Sequence, residues 1–222
     1  MEQIKISNVS KCYRIGNNMV KALDNVSVTI NKGEYVAIRG KSGSGKSTLL
    51  NVIGLTDKPS EGAVLFDDRD VSGYSNKDIS VIRNKEIGYI FQSFYLEPTY
   101  SVRMNVEMPL LIANVSAKER KNRVADVLGE VGLASKINNK AYELSGGERQ
   151  RACIARALVN NPDIILADEP CGNLDSENSD IVLGLLSELN RQGKTIVLVT
   201  HSEEDAKNAT RTIFMKDGKI IE

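Results

Sequence analysis

Tyr35-Val36-Ala37-Ile38 runs into Gly40-Lys41-Ser42-Gly43-Ser44-Gly45-Lys46-Ser47, and the stretch from Ser47 to Gly54 that follows reads as a helix. The octet fits G-x-x-x-x-G-K-[ST], with Thr48 directly after it. Glycines let a backbone curl until successive N–H groups point at phosphate oxygens, and the helix behind adds its positive end. Lys46 then reaches the β- and γ-phosphates, and the Ser47 hydroxyl ligates Mg²⁺. An ordinary strand-to-helix turn is the plainer alternative. The complete octet, with a strand before it and a helix after it, favours a nucleoside triphosphate site.

Outward from this loop the chain alternates. Ile4 to Tyr13, Val26 to Ile30, Ala63 to Phe66 and Ile87 to Phe91 read as strands, with Asn31-Lys32-Gly33-Glu34 a turn. From about Ser93 to Tyr142 the character changes. Ser116-Ala117-Lys118-Glu119 has the form of a capping box, and Val124, Val127, Leu128 and Val131 recur behind it at helical spacing. The last third reads as a helix from about Gly147, strand Ile164–Ala167, helix Ser176–Arg191, strand Thr195–Val199, a short helix and strand Arg211–Met215. Strands alternating with helices predict an α/β fold whose parallel sheet is covered on both faces.

Ile164-Ile165-Leu166-Ala167-Asp168-Glu169 is an apolar strand ending in two acids. A mid-sheet parallel strand delivers its last residues to the edge where ligands bind. There Asp168 would hold Mg²⁺ and Glu169 would orient or deprotonate the attacking water. Capping of the next helix is the alternative use of such a pair. Gln92 follows a strand and its amide could reach metal and water; a solvated loop residue is the plainer assignment. His201, the single histidine, follows strand Thr195–Val199 and Thr200, which would bring it beside the phosphates; a lone histidine is more often structural.

Leu144-Ser145-Gly146-Gly147-Glu148-Arg149-Gln150-Arg151 resembles the signature sequence of ABC ATPases, and it stands between the phosphate loop and the acid-tipped strand as in that family. Ser145, Gly146 and Gly147 offer a hydroxyl and close-approach backbone at a helix start, a second anion site. The resemblance covers essentially the whole chain. It implies a P-loop NTPase core with a helix-flanked parallel sheet, an antiparallel β subdomain and an inserted helical subdomain. Residues 1–92 and 145–222 would form the first two, and about 93–144 the third. It further implies ATP and Mg²⁺ as cofactors. Gln92 would serve as a joint that ligates the metal, Asp175 as a dimer contact, His201 as the γ-phosphate switch and Tyr13 as the aromatic on adenine. The signature residues, Glu148 included, would face the phosphate loop of a second copy.

Lys58-Pro59-Ser60-Glu61-Gly62, Phe91-Gln92 with Leu96-Glu97-Pro98-Thr99, Asn105-Val106-Glu107-Met108-Pro109-Leu110-Leu111 and Leu166-Ala167-Asp168-Glu169-Pro170 are similar to one branch of that family. The branch includes macrolide exporters, lipoprotein-release ATPases, antimicrobial-peptide resistance pumps and the cell-division ATPase FtsE. It implies a homodimer, or half of an unlike pair, on the cytoplasmic face of the membrane, attached through a permease that extrudes an amphipathic compound, or that activates cell-wall hydrolases without transport. Cys171 stands where threonine is usual and would make the site oxidisable if exposed. Glu148 replaces a common glutamine. Ser93, Glu97 and Tyr100 depart from the pattern where a permease helix would dock.

Composition sets limits on other functions. The 222 residues are 41% hydrophobic, and Lys+Arg and Asp+Glu number 29 each, so no overall basic field exists, which weighs against non-specific nucleic-acid binding and leaves only a local patch for it. Cys12, Cys153 and Cys171 lack metal-ligand spacing and suit a reducing compartment. No apolar run approaches the ~18 residues that span a bilayer, and the start lacks a signal peptide. The sequence runs only a few residues past Lys216-Asp217-Gly218-Lys219, and on this reading no regulatory C-terminal domain is expected.

Overall fold

The computed structural model describes residues 1–221 and contains two sheets. In the first, β1 (Glu2–Ile15), β2 (Asn18–Asn31), β4 (Glu61–Phe66) and β5 (Arg69–Asp70) pair antiparallel in the order β2-β1-β4-β5. β1 and β2 form one long hairpin, well beyond the stretches 4–13 and 26–30 expected from sequence. The extra arm, residues 18–21 of β2, is exposed on both faces, so no apolar alternation announced it.

The second sheet holds β3 (Tyr35–Arg39), β6 (Ile87–Ile90), β7 (Ile164–Asp168), β8 (Thr195–Thr200) and β9 (Arg211–Lys216) in parallel, with β10 (Lys219–Ile220) antiparallel at one edge. Their order, β10-β9-β3-β8-β7-β6, places β3, β8 and β7 side by side, so the phosphate loop, His201 and the acid pair leave the sheet at one edge.

Alternate residues of these strands serve two cores, which is why the strands read as unbroken apolar runs. Val36, Ile38, Leu166, Val197 and Val199 face a core shared with α1 (Lys46–Ile53) and the antiparallel sheet. Tyr35, Ile165, Ala167, Ile196 and Leu198 face a second core with α5 (Gly146–Leu158) and α6 (Ser176–Arg191). Each fully buried side chain of this size contributes about 1.5–3 kcal/mol relative to exposure.

α2 (Asn76–Glu86) has no counterpart in the sequence pattern; its buried residues are Ile79 and Ile82, too thin a stripe to show a period. α3 (Val102–Ile112) and α4 (Ala117–Glu130) lie between β6 and β7, and their Val106, Leu110, Val124 and Leu128 join Ile154 and Ala155 of α5 in the second core. Ser116 caps α4 by accepting the Glu119 N–H at 3.3 Å, but Glu119 pairs with Arg123 instead of closing a capping box. The short helix expected after β8 is a 3-10 turn, Asp205–Asn208.

Candidate functional site

The loop from Gly40 to Gly45 leaves β3 and enters α1 at Lys46. Gly45 has φ 101°, and a Cβ there would lie 2.6 Å from the Ala22 carbonyl oxygen, so both conformation and space demand glycine. No side chain caps α1 and no acid occupies its first turn. Its free N–H groups and positive end therefore remain available to an anion. Lys46 is buried, and its Nζ donates to the carbonyls of Gly40 (2.9 Å) and Lys41 (3.1 Å). Beneath the loop, the buried Ser44 hydroxyl has no partner, and the Ser44 carbonyl accepts the Gly218 N–H at 3.0 Å.

The acids meet the loop from the neighbouring strand. Ser47 donates to Asp168 Oδ1 at 3.2 Å, across 121 residues of sequence. Glu169 has a left-handed backbone, φ 47°, and its N–H joins the Val199 carbonyl of β8 at 2.9 Å. That turn aims its carboxylate at His201, whose Nδ1 lies 2.8 Å from Glu169 Oε2. A cleft of about 850 Å³ is lined by Ser42, Gly43, Gly45, Lys46, Ser47, Thr48, Gln92, Asp168, Glu169 and His201. Burial raises the Asp168 carboxyl above the ordinary carboxylate range; the nearby Glu169 charge pushes the same way, opposed by the Ser47 hydrogen bond and by Lys46. Hydroxyl, carboxylate and amide oxygens around a desolvated acid form the hard donor set that suits Mg²⁺.

Other expected residues sit elsewhere. None of Ser145, Gly146, Gly147, Glu148 or Asp175 lines this cleft. Ser145 caps α5 and forms a reciprocal box with Glu148 (Glu148 N–H to Ser145 Oγ 3.2 Å, Ser145 N–H to Glu148 Oε2 2.9 Å). Gly146 faces open space, whereas a Cβ at Gly147 would collide with Asn178 Oδ1. Gly147 is thus a packing glycine within its own chain. Asp175 caps α6 by accepting the Asn178 N–H at 2.8 Å.

Tyr13 does not line the cleft. Its hydroxyl donates to Asp57 Oδ2 at 2.6 Å, and Lys11 Nζ lies over its ring, 5.0 Å from the centroid. Val20, Lys21 and Ala22 of β2 form that wall instead. Cys171 is buried, and burial pushes its thiol up to about 12. The exposure on which its oxidation would depend is therefore not met in this structure.

Asp217 and Gly218 complete the cleft, although in the sequence they signal nothing more than a turn. Asn173 donates to the Gln92 carbonyl at 3.0 Å and ties the loop after β6 to the loop after β7.

Fold and site together define a P-loop nucleoside triphosphatase. The sequence profile of the ABC transporter family matches residues 23–172. The lipoprotein-releasing system ATP-binding protein LolD of Aquifex aeolicus is 44% identical over 220 residues, covering 99% of this chain and 96% of that protein. The macrolide export ATP-binding/permease protein MacB of Wolinella succinogenes is 45% identical over 98% of this chain, which spans 34% of that protein. A dimeric structure of the cassette MJ0796 superimposes with TM-score 0.92 at 44% identity, over 99% of this chain and 97% of that one. The chain belongs to the ABC transporter family, as an ATP-binding and ATP-hydrolysing subunit that uses ATP with Mg²⁺. No described helix is long and apolar enough to cross a membrane.

Proposed function

We propose that two copies of this chain close over two ATP molecules, and that closing and reopening drive a membrane permease that extrudes an amphipathic compound. One observation carries the reading. The cleft gathers Lys46, Ser47, Gln92, Asp168, Glu169 and His201, yet Ser145, Gly146 and Asp175 of the same chain lie outside it. A second copy, arranged as in the dimeric MJ0796 cassette, would supply them. Lone copies would then hydrolyse poorly, and the γ-phosphate would bias the open-to-closed equilibrium.

Bound ATP supplies the anhydride to be cleaved, with Mg²⁺ to neutralise its phosphate charge. The loop N–H groups and Lys46 hold the phosphates. Ser47, Asp168 and Gln92 hold the metal. Glu169 orients the attacking water and accepts its proton. His201 fixes the Glu169 rotamer through Nδ1 and would contact the γ-phosphate through its other ring nitrogen. The Ser145 hydroxyl accepts within its own chain and keeps its proton to donate to the other copy's nucleotide.

The helical insertion, about residues 93–144, would receive the permease and hold the chain at the cytoplasmic face of the membrane. Its α3 exposes Met104, Met108, Leu111 and Ile112, and a 390 Å³ groove beside it is walled by Arg83, Ile112 and Arg156. Macrolide-like drugs and lipoproteins are candidate cargoes in line with the names of MacB and LolD, and lipids and antimicrobial peptides are further candidates of the same amphipathic kind.

The test is Glu169→Gln. Turnover should fall by about 10²–10⁴-fold, ATP affinity should persist, and ATP should trap a dimer visible by sedimentation. An unchanged rate would overturn the role of Glu169. A native-membrane pull-down that brings down no integral membrane protein would overturn the permease.

A further inference from the structure

Asn178, in the first turn of α6, belongs to no motif and does not line the nucleotide cleft. Its side chain nevertheless joins the two elements that the proposed dimer would offer across its interface. On one side, Nδ2 donates to both carboxylate oxygens of Asp175, at 2.8 and 3.0 Å, while the backbone N–H donates to Oδ1. These bonds, the backbone one foremost, hold the Asp175 carboxyl below its ordinary value although it is fully exposed. On the other side, Oδ1 accepts from Arg151 Nη1 at 3.4 Å and lies so close to Gly147 that any side chain there would collide with it. The amide orientation is fixed by its neighbours, since the donor end meets a carboxylate and the acceptor end a guanidinium.

We infer that Asn178 is a positioning residue that locks Asp175 and the Ser145–Gly147 segment into one rigid unit, so that both reach the partner copy in register. This inference rests on the two-copy reading above. Gly147 follows from it. A side chain at that position would push the Asn178 amide off Asp175, which a pure ligand-approach role would not require. The amide donates to the Asp175 carboxylate from its nitrogen and accepts from Arg151 at its oxygen, so one planar group spans both elements. Without it Asp175 would keep one backbone bond and swing about its own χ angles, and the dimer would pay that ordering entropy at each closure.

The experiment uses the full chain carrying Glu169→Gln, compared with the same chain carrying Asn178→Asp as well. Aspartate matches asparagine in volume and suits the first turn of a helix, but it sets a second carboxylate against Asp175, so Asn178→Ala is measured beside it to separate lost donation from added repulsion. Neither side chain can donate to Asp175. The expected result is unchanged thermal stability, ATP affinity of the monomer within about twofold, and ATP-driven dimerisation weaker by about tenfold or more, as loss of charge-assisted bonds at two symmetric interfaces implies. Equal dimerisation of the two chains would overturn the inference and leave the two-copy reading standing. If the Glu169→Gln chain itself stays monomeric at saturating ATP, the two-copy reading fails and the inference with it. Should Asn178→Asp lower thermal stability, Asn178→Ala, which adds no charge and leaves the backbone cap on Asp175, decides alone with the same expected and overturning results.

Discussion

Two helices of this chain begin at glycine-rich segments, and they begin in opposite ways. α1 starts at a left-handed glycine with no side-chain cap and no acid in its first turn, so its N–H groups and partial positive charge stay free. α5 starts at Ser145 within a closed capping box, and Glu148 both satisfies a backbone donor and neutralises the helix end, itself paired with Lys136 at 3.2 Å. The first end is built to surround an anion. The second can offer one hydroxyl proton and a clear approach at Gly146. A glycine beside a helix start is therefore not by itself an anion site; what decides is whether the chain has already used the helix end for its own stability.

The largest expected effect breaks the first end. Lys46→Ala should weaken ATP binding by about 100-fold or more, the loss of charge-assisted bonds to two phosphates, as read by calorimetry. Unchanged affinity would remove the loop from the site. Gly45→Ala should follow, through steric conflict with the Ala22 carbonyl and backbone strain. It should cost about 1–3 kcal/mol of unfolding free energy in a denaturant titration, with a drop in ATP affinity. Ser145→Ala separates the two ends. It should lower stability by about 1 kcal/mol through loss of the cap, and should cut turnover while the ATP affinity of the isolated chain stays the same. A fall in that affinity would mean that Ser145 serves its own cleft.

The smallest effect is at Glu148. Its carboxyl is held low, chiefly by the Ser145 N–H and then by Lys136. Its contribution is present above the ordinary carboxylate range and disappears as pH falls through the depressed value. Glu148→Gln keeps the box geometry, so activity should stay within about threefold, and the acid limb of the stability curve should flatten by a few tenths of a kcal/mol. A large loss of turnover would show that the charge, not the cap, matters.

Much of this architecture was legible because the parallel strands announce themselves. Ile164–Asp168 and Thr195–Thr200 are buried along almost their whole length, and short unbroken apolar runs of that kind fit a central parallel strand. That Lys46, Ser47 and both acids would gather at one cleft was legible for the same reason, since each follows a recognisable strand. What escaped depends on contacts between distant segments. The pairing of Glu169 with His201 needs β7 and β8 to be neighbours, which order along the chain does not state. The contacts of Tyr13 with Asp57, 44 residues away, and with Lys11 on its own strand were likewise not legible. The box read at Ser116–Glu119 closes by one arm, while the complete box at Ser145–Glu148 was hidden inside a motif read for ligand binding. α2 was invisible because its buried stripe is two residues wide.

The left-handed backbone at Glu169 sets stability against turnover at a single position. A residue with a Cβ held at φ 47° gives up about 1 kcal/mol that glycine would keep, and asparagine part of it. Selection for heat resistance alone would therefore drift toward glycine at 169. A thermally hardened library of this chain should accumulate sequences that hold their fold longer, bind ATP as before, and no longer turn it over.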